Sequence, residues 1–375
     1  MEQPREPQRD LPVASCNRDK HASHHTAAVV PSRSWRYHAH RLVFRHLGIP
    51  PGTMRPYALP GAAPLHELRW RRRLARAPVT DYASHAAAVG IGEIEEPIPC
   101  SLCEGRRVQP LFRPPQGYEV VRCVGCGLLY RNPGIRPERL GDLYAGHYSR
   151  FLTGDYAKDR LRRYRLVMDA FDPLFADGAG RRLLDFGCGA GLFLDLAHER
   201  GFECYGVDLS EDSVEKARTR PSGAHAHFGS PAEVPEIAAG GFDVVTMWSV
   251  LAHLATPVED LAMLRSLLSD DGALMLLTVN ANSLLLKAGG DRWGGFTRNH
   301  LKFYSPSTLP LLLRRAGFEA VVMRPMANDL VEAGVAPLGA RQERRLRRAV
   351  ADGNRGNMMR AVAFATASAA ARWGF

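Results

Sequence analysis

The sequence predicts an α/β domain built on a doubly wound, mostly parallel sheet, preceded by a small cysteine-rich module. Three observations predict it. From residue 181 onward, short apolar runs alternate with helical patterns. The first run leads into a turn with three glycines in five positions, within "RLLDFGCGAGLFLDLA" (182–197). Ahead of it stand two C-x₂-C pairs, Cys100/Cys103 and Cys123/Cys126.

The apolar runs at 182–186, 204–207, 243–247 and 273–279 read as buried parallel strands. Helical patterns fill the intervals at 191–200, 211–219 and 257–268, the last with Leu261, Leu264 and Leu268 on one stripe. "SPSTLPLLLRRAGF" (305–318) is a further helix, with Ser305 as N-cap, Pro306 in the first turn and Gly317 closing it. Segments 319–324 and 357–365 supply two late strands. Upstream, 138–178 reads as helical, with Leu161, Tyr164, Leu166, Val167 and Phe171 roughly on one face.

At 375 residues the chain has room for two domains, and its 45% hydrophobic content is that of a globular protein. The net charge of +10 is uneven, because residues 1–92 hold 14 basic against 6 acidic side chains. That stretch shows no sustained period, so 1–95 reads as a basic arm without fixed structure, "RWRRRLARAP" (69–78) included. Met54 offers an alternative start. No apolar run approaches the roughly 18 residues of a membrane span; "AVAFATASAAA" is too short and stands between Arg360 and Arg372. A soluble, cytoplasmic protein is the expectation.

The glycine turn lies directly after a strand and before a helix, where doubly wound sheets bind nucleotides. Its pattern, Asp185-x-Gly187-x-Gly189-x-Gly191, is not the dinucleotide fingerprint G-x-G-x-x-G, and no P-loop lysine follows. Asp208 ends the next strand, 23 residues after Asp185, the usual distance for a carboxylate that holds a ribose.

With "LLDFGCGAGLFL", "YGVDLS", "FDVVTMWSVLAHLATP" and "HLKFYSPSTLPLLLRRAGF" in this order, the chain resembles the class I S-adenosylmethionine-dependent methyltransferases over about residues 97–365. The resemblance implies a Rossmann-like sheet of seven strands, the last antiparallel. It implies that Gly187, Gly189 and Gly191 let the backbone lie against the methionyl part of the cofactor. Asp185 would orient that loop and reach the cofactor's amino group, Asp208 would hold the ribose and Leu209 would pack on the adenine. The family commonly places Gly-Asp-Ala after its third strand, the Asp accepting from the adenine amino group. Here Gly229-Ser230-Pro231 stands there: Ser230 can accept a hydrogen bond, whereas Pro231 has no N–H. Ser249 and Ala252 likewise replace two acidic residues common in relatives.

The paired cysteines, separated by 19 residues, can wrap a tetrahedral Zn²⁺; four thiolates leave no open position, so the ion would be structural. A zinc ribbon over 96–134 is also similar to that of a bacterial subset of the family. There a tyrosine-rich segment, matched here by Tyr144 and Tyr148 within 135–180, leads into the catalytic domain (181–375) and closes over the cofactor.

Methyl transfer needs alignment, exclusion of water and removal of one proton. An imidazole suits that last task at pH 7. His253, after the fourth strand, and His300, in the insertion after the fifth, are the candidate bases, and Trp248, Asn280, Trp293 and Tyr304 are candidate pocket residues. The expected acceptor is a small molecule, methylated at a hydroxyl of a sugar or natural-product intermediate. Sugar C-methylation is the first alternative. Nucleic-acid methylation is disfavoured, because the Asn/Asp-Pro-Pro-aromatic motif is absent where "MWSV" stands. A protein that keeps the fold without catalysis is the remaining reading. The oligomeric state is not legible.

Overall fold

The structure, a computed structural model, describes residues 63–143, 155–326, 348 and 353–375. All belong to one compact unit, Tyr37–Phe375. Helix α1 (Ala63–Arg76) opens it. Trp70 stacks on Phe112 with ring centroids 5.9 Å apart, Leu74 packs on the same core, and Arg71, Arg72 and Arg76 face water. Strand β1 (Thr80–Asp81) leads into α2 (Tyr82–Val89), where the Asp81 carboxylate caps the helix by accepting from the Ala83 and Ser84 N–H groups. The arm expected over 1–95 is thus structured from residue 63, while 1–62 lie outside the described residues. Its few apolar side chains were too sparse to form a period, and tertiary partners complete them.

Five short strands follow: β2 (Glu95–Glu96), β3 (Arg107–Phe112), β4 (Val120–Cys123), β5 (Leu129–Arg131) and β6 (Gly134–Ile135). A 3₁₀ turn spans Pro137–Leu143. Helices α3 (Asp155–Ala170) and α4 (Asp172–Phe175) lead to the large sheet, so the expected helical stretch 138–178 is broken into separate pieces.

The large sheet uses β7 (Arg182–Phe186), β8 (Glu203–Asp208), β9 (His225–Phe228), β10 (Phe242–Trp248) and β11 (Leu268–Val279). Between them run α5 (Leu192–His198), α6 (Glu211–Arg218), α7 (Pro235–Ala238) and α8 (Pro257–Leu267). Beyond β11 come α9 (Leu284–Gly289), β12 (Lys302–Phe303), α10 (Leu309–Arg315), β13 (Ala320–Pro325), β14 (Met358–Phe364) and α11 (Ala367–Arg372). The seven strands lie in the order β13-β14-β11-β10-β7-β8-β9. Only β14 runs antiparallel to its neighbours. Chain order reverses between β7 and β10, and the loops leaving those two strands form the crevice where such sheets bind ligands.

The cysteine module is not a separate bead. Strand β12 pairs antiparallel with β5, Lys302 opposite Tyr130 and Phe303 opposite Leu129, which completes a five-stranded sheet β1-β3-β4-β5-β12. Val121 and Tyr130 share a core with Leu261, Leu264 and Leu312 beneath the large sheet. Phe112 and Tyr118 join Tyr164, Phe171 and Phe193 on its other face. The sequence segments 96–134 and 181–375 therefore fold around continuous cores.

Candidate active site

The turn after β7 is built from backbone that only glycine adopts readily. Gly187, Gly189 and Gly191 have φ of 78°, 52° and 75°. A methyl group on Gly187 would overlap Val250, so the close approach of the loops after β7 and β10 requires that glycine. At Gly189 a Cβ would meet nothing within 4 Å, and this stretch of backbone is open to a ligand. Gly191 serves packing instead, because its Cβ would lie 3.1 Å from that of Ala217 on α6.

Two carboxylates organise the turn. Asp208, at the end of β8, accepts from Gly189 N–H at 2.8 Å and from Ser210 N–H at 2.9 Å. One carboxylate thereby fixes both the glycine turn and the start of α6, and each oxygen keeps acceptor capacity for a further partner. Burial raises its pKa, against the pull of those N–H donors. Asp185 is 2% exposed and accepts from the Thr246 hydroxyl at 2.7 Å. Burial pushes its carboxyl up to about 7, partly opposed by that hydroxyl and reinforced by the charge of Asp208.

A cavity of about 310 Å³ opens beside this turn. Gly187, Asp208, Leu209 and Ser230 line it, with Val250, His253 and Leu254, and with Pro137 and Leu140 of the turn after the cysteine module. Thr256, Asp260 and Met263, just before and within α8, also line it. Leu209 is 65% exposed, a large apolar surface at the lip of the cavity. These residues fit an adenosine-bearing ligand: an open glycine backbone, a carboxylate with spare acceptor capacity and apolar walls.

The two candidate histidines lie together. Their rings meet edge to face with centroids 4.7 Å apart. His253 Nδ1 donates to the Asn299 carbonyl at 3.0 Å, and His300 Nδ1 donates to the Gly295 carbonyl at 2.7 Å. A carbonyl only accepts, so each of these contacts assigns a proton to Nδ1, and His253 has a second backbone hydrogen bond at Ser249. Burial, with His300 adding to it, holds His253 down to about 3, and burial also lowers His300. His253 lines the cavity, whereas His300 is buried behind it.

A sequence-family profile for a methyltransferase domain matches residues 156–322. The ubiquinone biosynthesis O-methyltransferase of Aromatoleum aromaticum is 31% identical over 162 residues, which cover 40% of this chain and 69% of that protein. The chain belongs to the class I S-adenosylmethionine-dependent methyltransferases. The protein of the same name from Azoarcus sp. is 31% identical over 40% of this chain and 70% of its own. A solved S-adenosylmethionine-dependent methyltransferase from Archaeoglobus fulgidus matches 59% of this chain and 98% of its own, with 20% identity and a TM-score of 0.42.

The methyltransferase carries its four paired cysteines as one cluster, with all four Sγ atoms within 4.8 Å of one another. Cys100 and Cys126 are 3.5 Å apart, as are Cys103 and Cys123. Tetrahedral zinc at about 2.3 Å from each sulfur calls for sulfur separations of about 3.8 Å, so the cluster fits such an ion. A Cβ on Gly105 would lie 3.0 Å from one of these sulfurs and 3.1 Å from another, which explains the glycine there.

The structure places the remaining candidate pocket residues away from this cavity. Trp248 does not line the cavity; it is buried between Tyr164 and Phe193, with centroids 4.7 and 4.5 Å away, because its side of β10 faces the α3–α5 layer. Asn280 spends its amide on the Asn354 and Gly356 carbonyls, Trp293 donates to Asn357, and Tyr304 is wholly buried in the core. Tyr144 and Tyr148 lie outside the described residues.

Two residues that sequence reasoning missed shape the cavity. Lys302, 1% exposed, donates to the carbonyls of Leu254 and Ala255 at 2.8 and 2.9 Å and so holds part of the cavity wall. Burial pulls its pKa down to about 8. Asp260 accepts from Thr256 Oγ1 at 3.2 Å, and burial pushes its carboxyl up to about 6. A lysine in "HLKFYS" and an aspartate in an ordinary first helical turn carry no local signal of such roles.

Proposed function

We propose that this methyltransferase modifies a small molecule at a hydroxyl oxygen. One observation carries the reading: a single cavity joins the cofactor-side residues Gly187, Asp208 and Leu209 to an imidazole, His253. The relatives named as O-methyltransferases support oxygen as the acceptor atom.

S-adenosylmethionine, when bound, supplies an electrophilic methyl carbon. Asp208 would hold the ribose, Leu209 the adenine face, and Asp185 the amino group. The apolar walls formed by Leu140, Val250, Leu254 and Met263 exclude water from the acceptor's side. His253 is held neutral at pH 7 by burial and takes the hydroxyl proton. A weak base suffices, because the acceptor oxygen becomes strongly acidic as its new bond forms. The four cysteines would hold zinc structurally, and none of them lines the cavity.

Sugars and natural-product intermediates are the finer acceptor classes. Sugar C-methylation is the second reading, favoured by the cysteine module built into the domain. The first test is a calorimetric titration of S-adenosylmethionine into the protein and into Asp208→Ala. Micromolar binding to the first and none to the second is expected. An acceptor panel with ¹³C-methyl donor then assigns the product: an O-methyl resonance supports the reading, and a C-methyl resonance replaces it with the alternative.

A further inference from the structure

We propose that Asp260 is the residue that recognises the adenine amino group, in place of the acidic residue missing after β9. The inference rests on the cofactor site proposed above and goes beyond it by assigning base specificity to α8.

The usual position lacks its carboxylate here. Pro231 has no N–H, and Ser230 offers only a hydroxyl. Its N–H donates to Glu233 Oε2 at 2.7 Å, while its hydroxyl accepts from Ala232 N–H at 3.4 Å, a reciprocal capping box. Glu233 is committed to that box and does not line the cavity. An exocyclic amino group offers two N–H donors and needs an acceptor within an otherwise apolar wall.

Among the described residues lining the cavity, Asp208 and Asp260 are the two carboxylates. Asp208 accepts from the glycine turn. Asp260 stands in the first turn of α8, in the same cavity as Leu209 and Pro231. Thr256 donates to its Oδ2 alone, which steers the carboxylate and leaves acceptor capacity. The nearby cation, Lys302, donates to the Leu254 and Ala255 carbonyls, so it does not neutralise Asp260 by direct pairing. A half-buried carboxylate kept unpaired at a cavity wall calls for a donor from the ligand.

Adenine and hypoxanthine separate this role from a structural one. Hypoxanthine replaces the amino group with a carbonyl, which a carboxylate repels and an amide can satisfy. Affinities for S-adenosylhomocysteine and S-inosylhomocysteine are measured by calorimetry on the zinc-loaded full chain. Wild type is expected to favour the adenosyl compound by at least about tenfold, the scale of one charge-assisted hydrogen bond. Asp260→Asn should narrow that preference to within about threefold or reverse it. An unchanged preference in Asp260→Asn overturns the proposal. So does a wild type that binds both compounds equally, a result that needs no variant to fold. Wild type that binds neither compound counts against the cofactor site itself.

Discussion

Asp185 is buried, with the Thr246 hydroxyl and the charge of Arg160 opposing the burial that raises its pKa, so its ionisation responds to any further cation that reaches it. With its carboxyl raised to about 7, pairing with the cofactor's ammonium group must expel a proton below that pH. Affinity for S-adenosylhomocysteine is expected to rise severalfold from pH 6 to 7.5. Its calorimetric enthalpy should vary with the buffer's ionisation heat, and both effects should vanish in Asp185→Asn. The same shift acts on stability. The folded state holds this proton more tightly than the unfolded chain, whose value is about 3.9, so the contribution is present below that pH and lost as pH rises through 7. Asp185→Asn should therefore gain on wild type between pH 4 and 7, by on the order of 2–4 kcal/mol in chemical denaturation. At His253, replacement by Asn should lower kcat by about 10² to 10⁴. S-adenosylmethionine affinity should stay within about threefold, and an equal loss of both would mark the residue as structural. Asp185, Asp208 and His253 were all legible as candidates from their places at or just beyond strand ends. Asp260 was not, because its cavity exists only once α8 packs beside the turn after β9.

Elements meet here through single residues with little room to vary. The turn joining β7 to α5 needs a positive φ at Gly187 and has no space beside Val250. Gly187→Ala is expected to cost about 1–3 kcal/mol in denaturation and to remove cofactor binding, since either the turn or the β10 loop must move. Strand β12 is only two residues long, yet its Lys302 ties β5 of the cysteine module to the carbonyls of the cavity wall. Lys302→Met would leave those two carbonyls buried and unpaired. A lower melting temperature is expected, with a KM for S-adenosylmethionine raised about tenfold and kcat nearly unchanged. Thermal melts and initial rates check it. The glycine pattern announced the first of these constraints. Nothing in the spacing announced the second, since Lys302 and its partners are about 50 positions apart and no period links them.

At the scale of the molecule, the cysteine module and the methyltransferase sheet share their cores and one strand pairing, so the metal's influence should extend beyond the module. Elemental analysis is expected to find one zinc per chain. Removal by chelation, or Cys100→Ser with Cys123→Ser, should lower the melting temperature and weaken S-adenosylmethionine binding together, through β5, β12 and the wall that Lys302 holds. A melting temperature that falls while binding persists would show the module to be energetically separate. By itself the sequence determined what depends on near neighbours in the chain. The glycine turn, the carboxylates that end β7 and flank β8's end, the cysteine pairs and the buried strand runs are each set by local backbone geometry, ligand spacing or hydrophobic period. The tertiary structure decided what depends on distant meetings: α1 folding against Phe112, Trp248 turning into the core, the paired histidines, and Lys302 and Asp260 at the cavity. Those contacts bring together surfaces of separate elements, and their energies come from burial and desolvation that no short stretch of chain encodes.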